Sequence, residues 1–318
     1  MEVSYRTIEH RFRLLAIAVS VLLTRGGAVA LAGELPPPVL GLTVQPGGLL
    51  IREVVPGETY DLKAKSGVGL TVSNQDGRPH TYVLSTHRPS EIGNRRVPVG
   101  YSDIVDPSWF WFEKGEITVP PQSSSEVKMY LRVPAEAQYR NQHWSVSVGV
   151  VGKAGQSEVL TLAAFPRFEI ETASATRAEL RRRPAGAMPV CPSKVVLPEV
   201  VPGTRRSSSF ILSNSDTRRH RYEIIALSNG EDSPGCHIFG TGGYAWLPEA
   251  RWVRVGSRVQ LGKWGYTTIP FRITLPPDAA PPAGGWELIL LVKRDDGVSN
   301  FVRVFLDPAK SAPPGGAR

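Results

Sequence analysis

Six histidines, two cysteines and seven tryptophans are the residues from which this chain could build chemistry. None of the histidines stands at metal-ligating spacing such as His-x-His or His-x3-His. Cys236 and His237 are adjacent, and neighbours on an extended chain point apart, which argues against a thiol–imidazole nucleophile. Gly240-Thr241-Gly242-Gly243 has the glycines of a phosphate cradle but lacks the Lys-Ser/Thr of a P-loop. Glu136 and Asp278 sit in matching turns, Pro134-Ala135-Glu136-Ala137 and Pro276-Pro277-Asp278-Ala279, where a carboxylate can accept backbone N–H bonds. A general acid needs a partner carboxylate in a pocket, and the spacing offers none. The chain therefore reads as non-enzymatic, with no catalytic residue, no metal and no cofactor.

Binding is the chemistry that remains. Trp252 and Trp264 lie among Arg251, Arg254, Arg258 and Lys263. An exposed Trp beside cations can stack on a sugar ring or a peptide, so Trp252, Trp264, Arg254 and Arg258 form the candidate ligand set; the competing reading is core packing. Trp109-Phe110-Trp111-Phe112 on a strand would send two aromatics to each face. One pair fills a core; the other is covered by a loop or domain, or forms a sticky surface. Cys191 and Cys236 allow two readings, a disulfide worth about 3–4 kcal/mol or two free thiols.

These residues hang on a cassette that occurs twice. Val54-Val55-Pro56-Gly57, Leu70-Thr71-Val72-Ser73-Asn74, His80-Thr81-Tyr82 and Trp144 recur as Val200-Val201-Pro202-Gly203, Phe210-Ile211-Leu212-Ser213-Asn214, His220-Arg221-Tyr222 and Trp286. Residues 127–134 fall on residues 269–276, so Tyr130 matches Arg272. Period-two alternation and frequent turns predict seven or eight strands per copy, including strands over 59–65 and 251–261. Asp295-Asp296-Gly297 marks a hairpin. The expected fold is all-β: two tandem immunoglobulin-like antiparallel β-sandwiches, over 49–172 and 193–307. A lead-in (33–48), a Pro/Arg-rich linker (173–192) and a disordered tail (308–318) complete the division.

Residues 1–32 read as a secretory signal peptide. Arg11 and Arg13 precede an apolar run over 14–23, and Ala30-Leu31-Ala32 offers a cleavage site. Arg25, Gly26 and Gly27 break that run before it could span a bilayer, so no stable membrane span is expected after cleavage. The net charge of +8 is scattered, which disfavours nucleic acid and permits attraction to anionic envelope polymers.

The order of Val-Pro-Gly, a strand ending in Asn, a Pro-acid-Ala turn and a Trp strand resembles bacterial extracytoplasmic immunoglobulin-like domains. It is similar to the domains of WxL-interacting cell-surface proteins and, more distantly, to PapD-like pilus chaperones. The resemblance implies a secreted or periplasmic cell-envelope protein that binds or scaffolds an envelope protein or cell-wall polymer. Two alternatives accompany it: a periplasmic chaperone acting by strand addition, and a glycan-binding module.

Overall fold

Alternation such as Leu70-Thr71-Val72-Ser73-Asn74 lays one face of a strand into a core and leaves the other outside. The computed structural model describes residues 2–5, 41–93, 97–153, 162–175, 190–229, 232–233 and 235–309. The apolar run and cleavage site of the signal, the linker over 176–189 and the tail from 310 lie outside the described residues.

The first half supplies β1 (Glu2–Tyr5), β2 (Leu42–Gln45), β3 (Gly48–Val54), β4 (Thr59–Asp61), β5 (Leu70–Asn74), β6 (His80–His87) and β7 (Ser102–Asp103). It continues with β8 (Phe110–Phe112), β9 (Glu116–Val119), β10 (Ser123–Val127), β11 (Met129–Arg132), β12 (His143–Gly152), β13 (Ala163–Ala164) and β14 (Arg167–Thr172). The second half supplies β15 (Val190–Cys191), β16 (Lys194–Val200), β17 (Arg205–Ser213), β18 (His220–Leu227) and β19 (Ala245–Trp246). It ends with β20 (Val253–Val255), β21 (Arg258–Leu261), β22 (Tyr266–Thr274), β23 (Trp286–Arg294) and β24 (Ser299–Pro308).

Each half is a two-layer sandwich of immunoglobulin type. In the first, the sheet β1-β3-β14-β12-β6-β9 faces two ladders, β10-β5-β2 and β4-β11-β8. Leu49, Ile51, Phe110, Leu131, Trp144, Val146 and Phe168 belong to its core. In the second, β16-β24-β23-β18-β21 faces β15-β17-β22-β20, around Phe210, Phe271, Trp286, Leu288 and Val304. Among the described residues, pairing is antiparallel except at four places, including β3 with β14 and β16 with β24.

The two sandwiches stack through their large sheets. β12, β23 and β24 are therefore buried on both faces. Between the sheets lies a third apolar cluster, in which Tyr101 of the first half meets Leu227, Cys236, Ile289, Leu291 and Phe301 of the second.

Local chemistry changes two expected strands. Over 59–65 the strand stops at Asp61, whose carboxylate caps Ala64 N–H at 2.9 Å and starts the one-turn helix α1 (Leu62–Ser66). Gly67 closes that turn at φ 74°, where a side chain would be strained. The segment 251–261 divides into a 3-10 turn, β20 and β21, which pair with different sheets. The Trp109–Phe112 run splits as well. Phe110 enters the core, while Trp111 stays 37% exposed and stacks on Tyr130 at 5.6 Å.

Candidate functional site: the stacked sheets and the edge beside them

The outward residues of β3, β12 and β14 meet those of β23 and β24, so an alternation that would normally reach water is buried. This puts Arg52, Glu171, Glu287 and Arg303 in the interior. Arg303 donates from Nε to Glu171 Oε2 at 3.1 Å and from Nη2 to Glu171 Oε1. Its Nη1 reaches Glu287 Oε2 at 3.2 Å and the Phe239 carbonyl at 3.1 Å. Arg52 approaches Glu171 Oε2 at 3.3 Å and donates to Thr241 Oγ1 at 2.8 Å. Tyr101 donates its hydroxyl to Glu171 Oε1 at 3.1 Å.

The electrostatics follow from burial and partners. Burial opposes ionisation of Glu171, but Arg303 and Arg52 together outweigh it and hold the carboxyl at about 2. Burial pushes Glu169 up to about 7. Its Arg167 partner, 2.8 Å away, is not aligned for a hydrogen bond, and Glu169 Oε1 has none. His143 lies flat on Phe301, 3.8 Å between centroids, with Nδ1 2.7 Å from Asn300 Oδ1; burial pushes it down to about 4. Charges so enclosed fasten the two bodies together.

The cluster His220, Asp295 and Asp296 has metal-ligand spacing in space. Its donors are already committed: His220 bonds Asp295 Oδ1 through Nδ1 at 2.8 Å and Asp216 Oδ2 through Nε2 at 3.0 Å. Arg294 grips both oxygens of Asp296. Hydrogen bonds to Asp295 and Asp216 raise the imidazole pKa.

The edge of the first stack has a different character. β1 lies antiparallel on β3, with Glu2, Val3, Ser4 and Tyr5 opposite Arg52, Ile51, Leu50 and Leu49. β3 already pairs with β14 on its other side. Residues 2–5 thus form the edge strand of the sheet.

The four candidate ligand residues do not form one site. Trp252 packs edge-to-face on core Trp286 at 5.9 Å, so it serves the core. Trp264 is 52% exposed on the turn between β21 and β22. Arg254 lines a groove on β20 and β22, whereas Arg258 lines another with Arg221 and Lys293 on the opposite sheet. The disulfide reading is corrected: Cys191 and Cys236 are both buried and are not bridged. Cys191 sits in β15 and donates to the Ala175 carbonyl, whereas Cys236 lies in the cluster between the sheets. The sequence reading missed Arg52, Glu171 and Arg303. Their signal was a charge set between core residues, as in Val302-Arg303-Val304, on a strand with little polar surface.

No family model matches the chain, and no curated protein matches it. Among solved structures it is similar to a Porphyromonas gingivalis W83 protein of unknown function, at 12% identity and TM-score 0.32, over 84% of this chain and 99% of that one. It is also similar to the periplasmic chaperone SfaE (10% identity, TM-score 0.29, 83% and 99% covered) and to the E. coli chaperone DraB (13%, 0.29, 84% and 98%). Likeness at this level carries no argument about function. No helix among the described residues is long and apolar enough to cross a membrane.

Proposed function

We propose that the protein is a non-catalytic binding and scaffolding module of the cell envelope, exported by its N-terminal signal. Its partner is a polypeptide that adds an extended segment to the β3 edge. The observation that carries this reading is the ladder between Glu2–Tyr5 and residues 49–52. Cleavage after Ala32 would remove β1 and leave a row of backbone N–H and C=O groups without partners. Such an edge is a template for another strand. The ion pairs between the sheets hold the edge on a rigid body, which lowers the ordering cost of binding.

The test uses the chain from Gly33 onward and a fluorescent peptide of residues 1–6. Saturable binding is expected, with slowed amide exchange over 49–52. The same peptide carrying Ser4→Pro should not bind, because proline removes a ladder donor. Equal binding of both peptides, or of neither, overturns the reading. So does a dimer of the mature chain, seen by light scattering, that the peptide leaves intact.

A further inference from the structure

The two copies differ at one matched row. In the first sandwich Trp111 stands opposite Tyr130, and the rings stack at 16° between planes. In the second, the same row places Arg254 directly opposite Arg272, with Ser207 on the far side of Arg272. An aromatic pair across two strands stabilises a sheet, and like charges across them destabilise it. The fold therefore does not require cations here.

Both guanidinium groups are exposed, and neither forms an ion pair or hydrogen bond with any described residue. Other arginines of this half show that the chain supplies partners elsewhere. Arg294 is held by Asp296, Arg251 by Glu249, and Arg206 donates to the Glu199 carbonyl. Arg254 and Arg272 instead border a groove of about 350 Å³ that Ser207, Ser208, Pro270 and Phe271 also line. Arg205, opposite Thr274 and two residues along β17 from Ser207, extends the cationic line by about 7 Å.

The geometry points to an anion-binding site on this outer face, which takes phosphate groups of a polyanionic chain. Two guanidinium forks and the Ser207 hydroxyl suit a tetrahedral oxyanion, since Arg binds phosphate through paired N–H donors. The groove is open and longer than one ion, and Arg205 continues it, so successive phosphates on one strand fit better than an isolated one. A bound phosphate also removes the repulsion that the pair otherwise imposes. This site is independent of the β3 edge, which belongs to the other sandwich.

Inorganic polyphosphate is the probe, compared with inorganic phosphate and phosphatidylglycerol vesicles. The double variant Arg254→Gln/Arg272→Gln should lose at least about tenfold in polyphosphate affinity, the size expected for charge-assisted hydrogen bonds. Arg258→Gln, with the same kind of charge on the other sheet, should change it by less than about twofold. The double variant should melt at or above the wild-type temperature, because a repulsive pair is gone. Equal losses in both variants, no loss in the double variant, a lowered melting temperature, or tighter binding to vesicles than to polyphosphate would each overturn the assignment.

Discussion

Arg303 and Glu171 stand 132 residues apart on the final strands of the two sandwiches, and they meet Nε to Oε2 at 3.1 Å. Both are nearly sealed from water, at 1% and 6% exposure. The pair thus belongs to neither sandwich alone. Replacing Arg303 by Met leaves Glu171 with one fewer cation in a dry setting. The expected cost is about 3–5 kcal/mol in urea unfolding. Adding Glu171→Gln should recover part of it, since the stranded charge is then gone. Additive losses in the double variant would show that the two residues do not couple.

Glu169 sets a dependence on pH. Its folded value, about 7, lies above the 4.5 of an ordinary glutamate. A raised carboxyl contributes stability that is fully present below pH 4.5 and is lost as pH rises through 7. Glu169→Gln should therefore stabilise the protein at pH 8, and the gain over wild type should vanish toward pH 4. Thermal melts across that range provide the check; a gain independent of pH contradicts the assignment.

His143 acts in the opposite window. Burial lowers it from 6.5 to about 4, so its contribution is complete above pH 6.5 and is lost as pH falls through 4. His143→Phe keeps a ring over Phe301 without a titrating group. The variant should lose less stability than wild type between pH 6.5 and pH 4.

The thiols give a direct chemical readout. Burial pushes Cys236 up to about 11, and Cys191 is equally enclosed. Neither should react with a disulfide reagent in the native protein, because both sulfurs are sealed from it. Two thiols should appear on unfolding without reductant. None appearing would restore the bridge.

The repeat made the sandwich architecture legible, because Leu70-Thr71-Val72-Ser73-Asn74 and its second copy alternate as half-buried strands do. The stacking left a weaker trace. Leu288-Ile289-Leu290-Leu291-Val292 is apolar at every position, which is the pattern of a strand covered on both sides. Which charges would meet across that contact was not legible, since Arg303 and Glu171 pair only through the relative placement of two bodies. Trp252 and Trp264 share the same basic surroundings in sequence. One lies against Trp286 and the other on a turn, and composition does not distinguish these fates. Arg254 looked like a partner for those tryptophans, whereas its neighbour in space is Arg272.

The parallel pairing of β3 with β14, and of β16 with β24, has a mechanical consequence. In each sandwich an early strand runs the same way as the last strand and pairs with it. Tension applied to the ends of either sandwich slides that pair lengthwise and strains its rungs together. An antiparallel pair tugged from one end would instead open rung by rung. A molecule tethered at both ends would yield late and abruptly, and stretching single molecules would register one high rupture per sandwich.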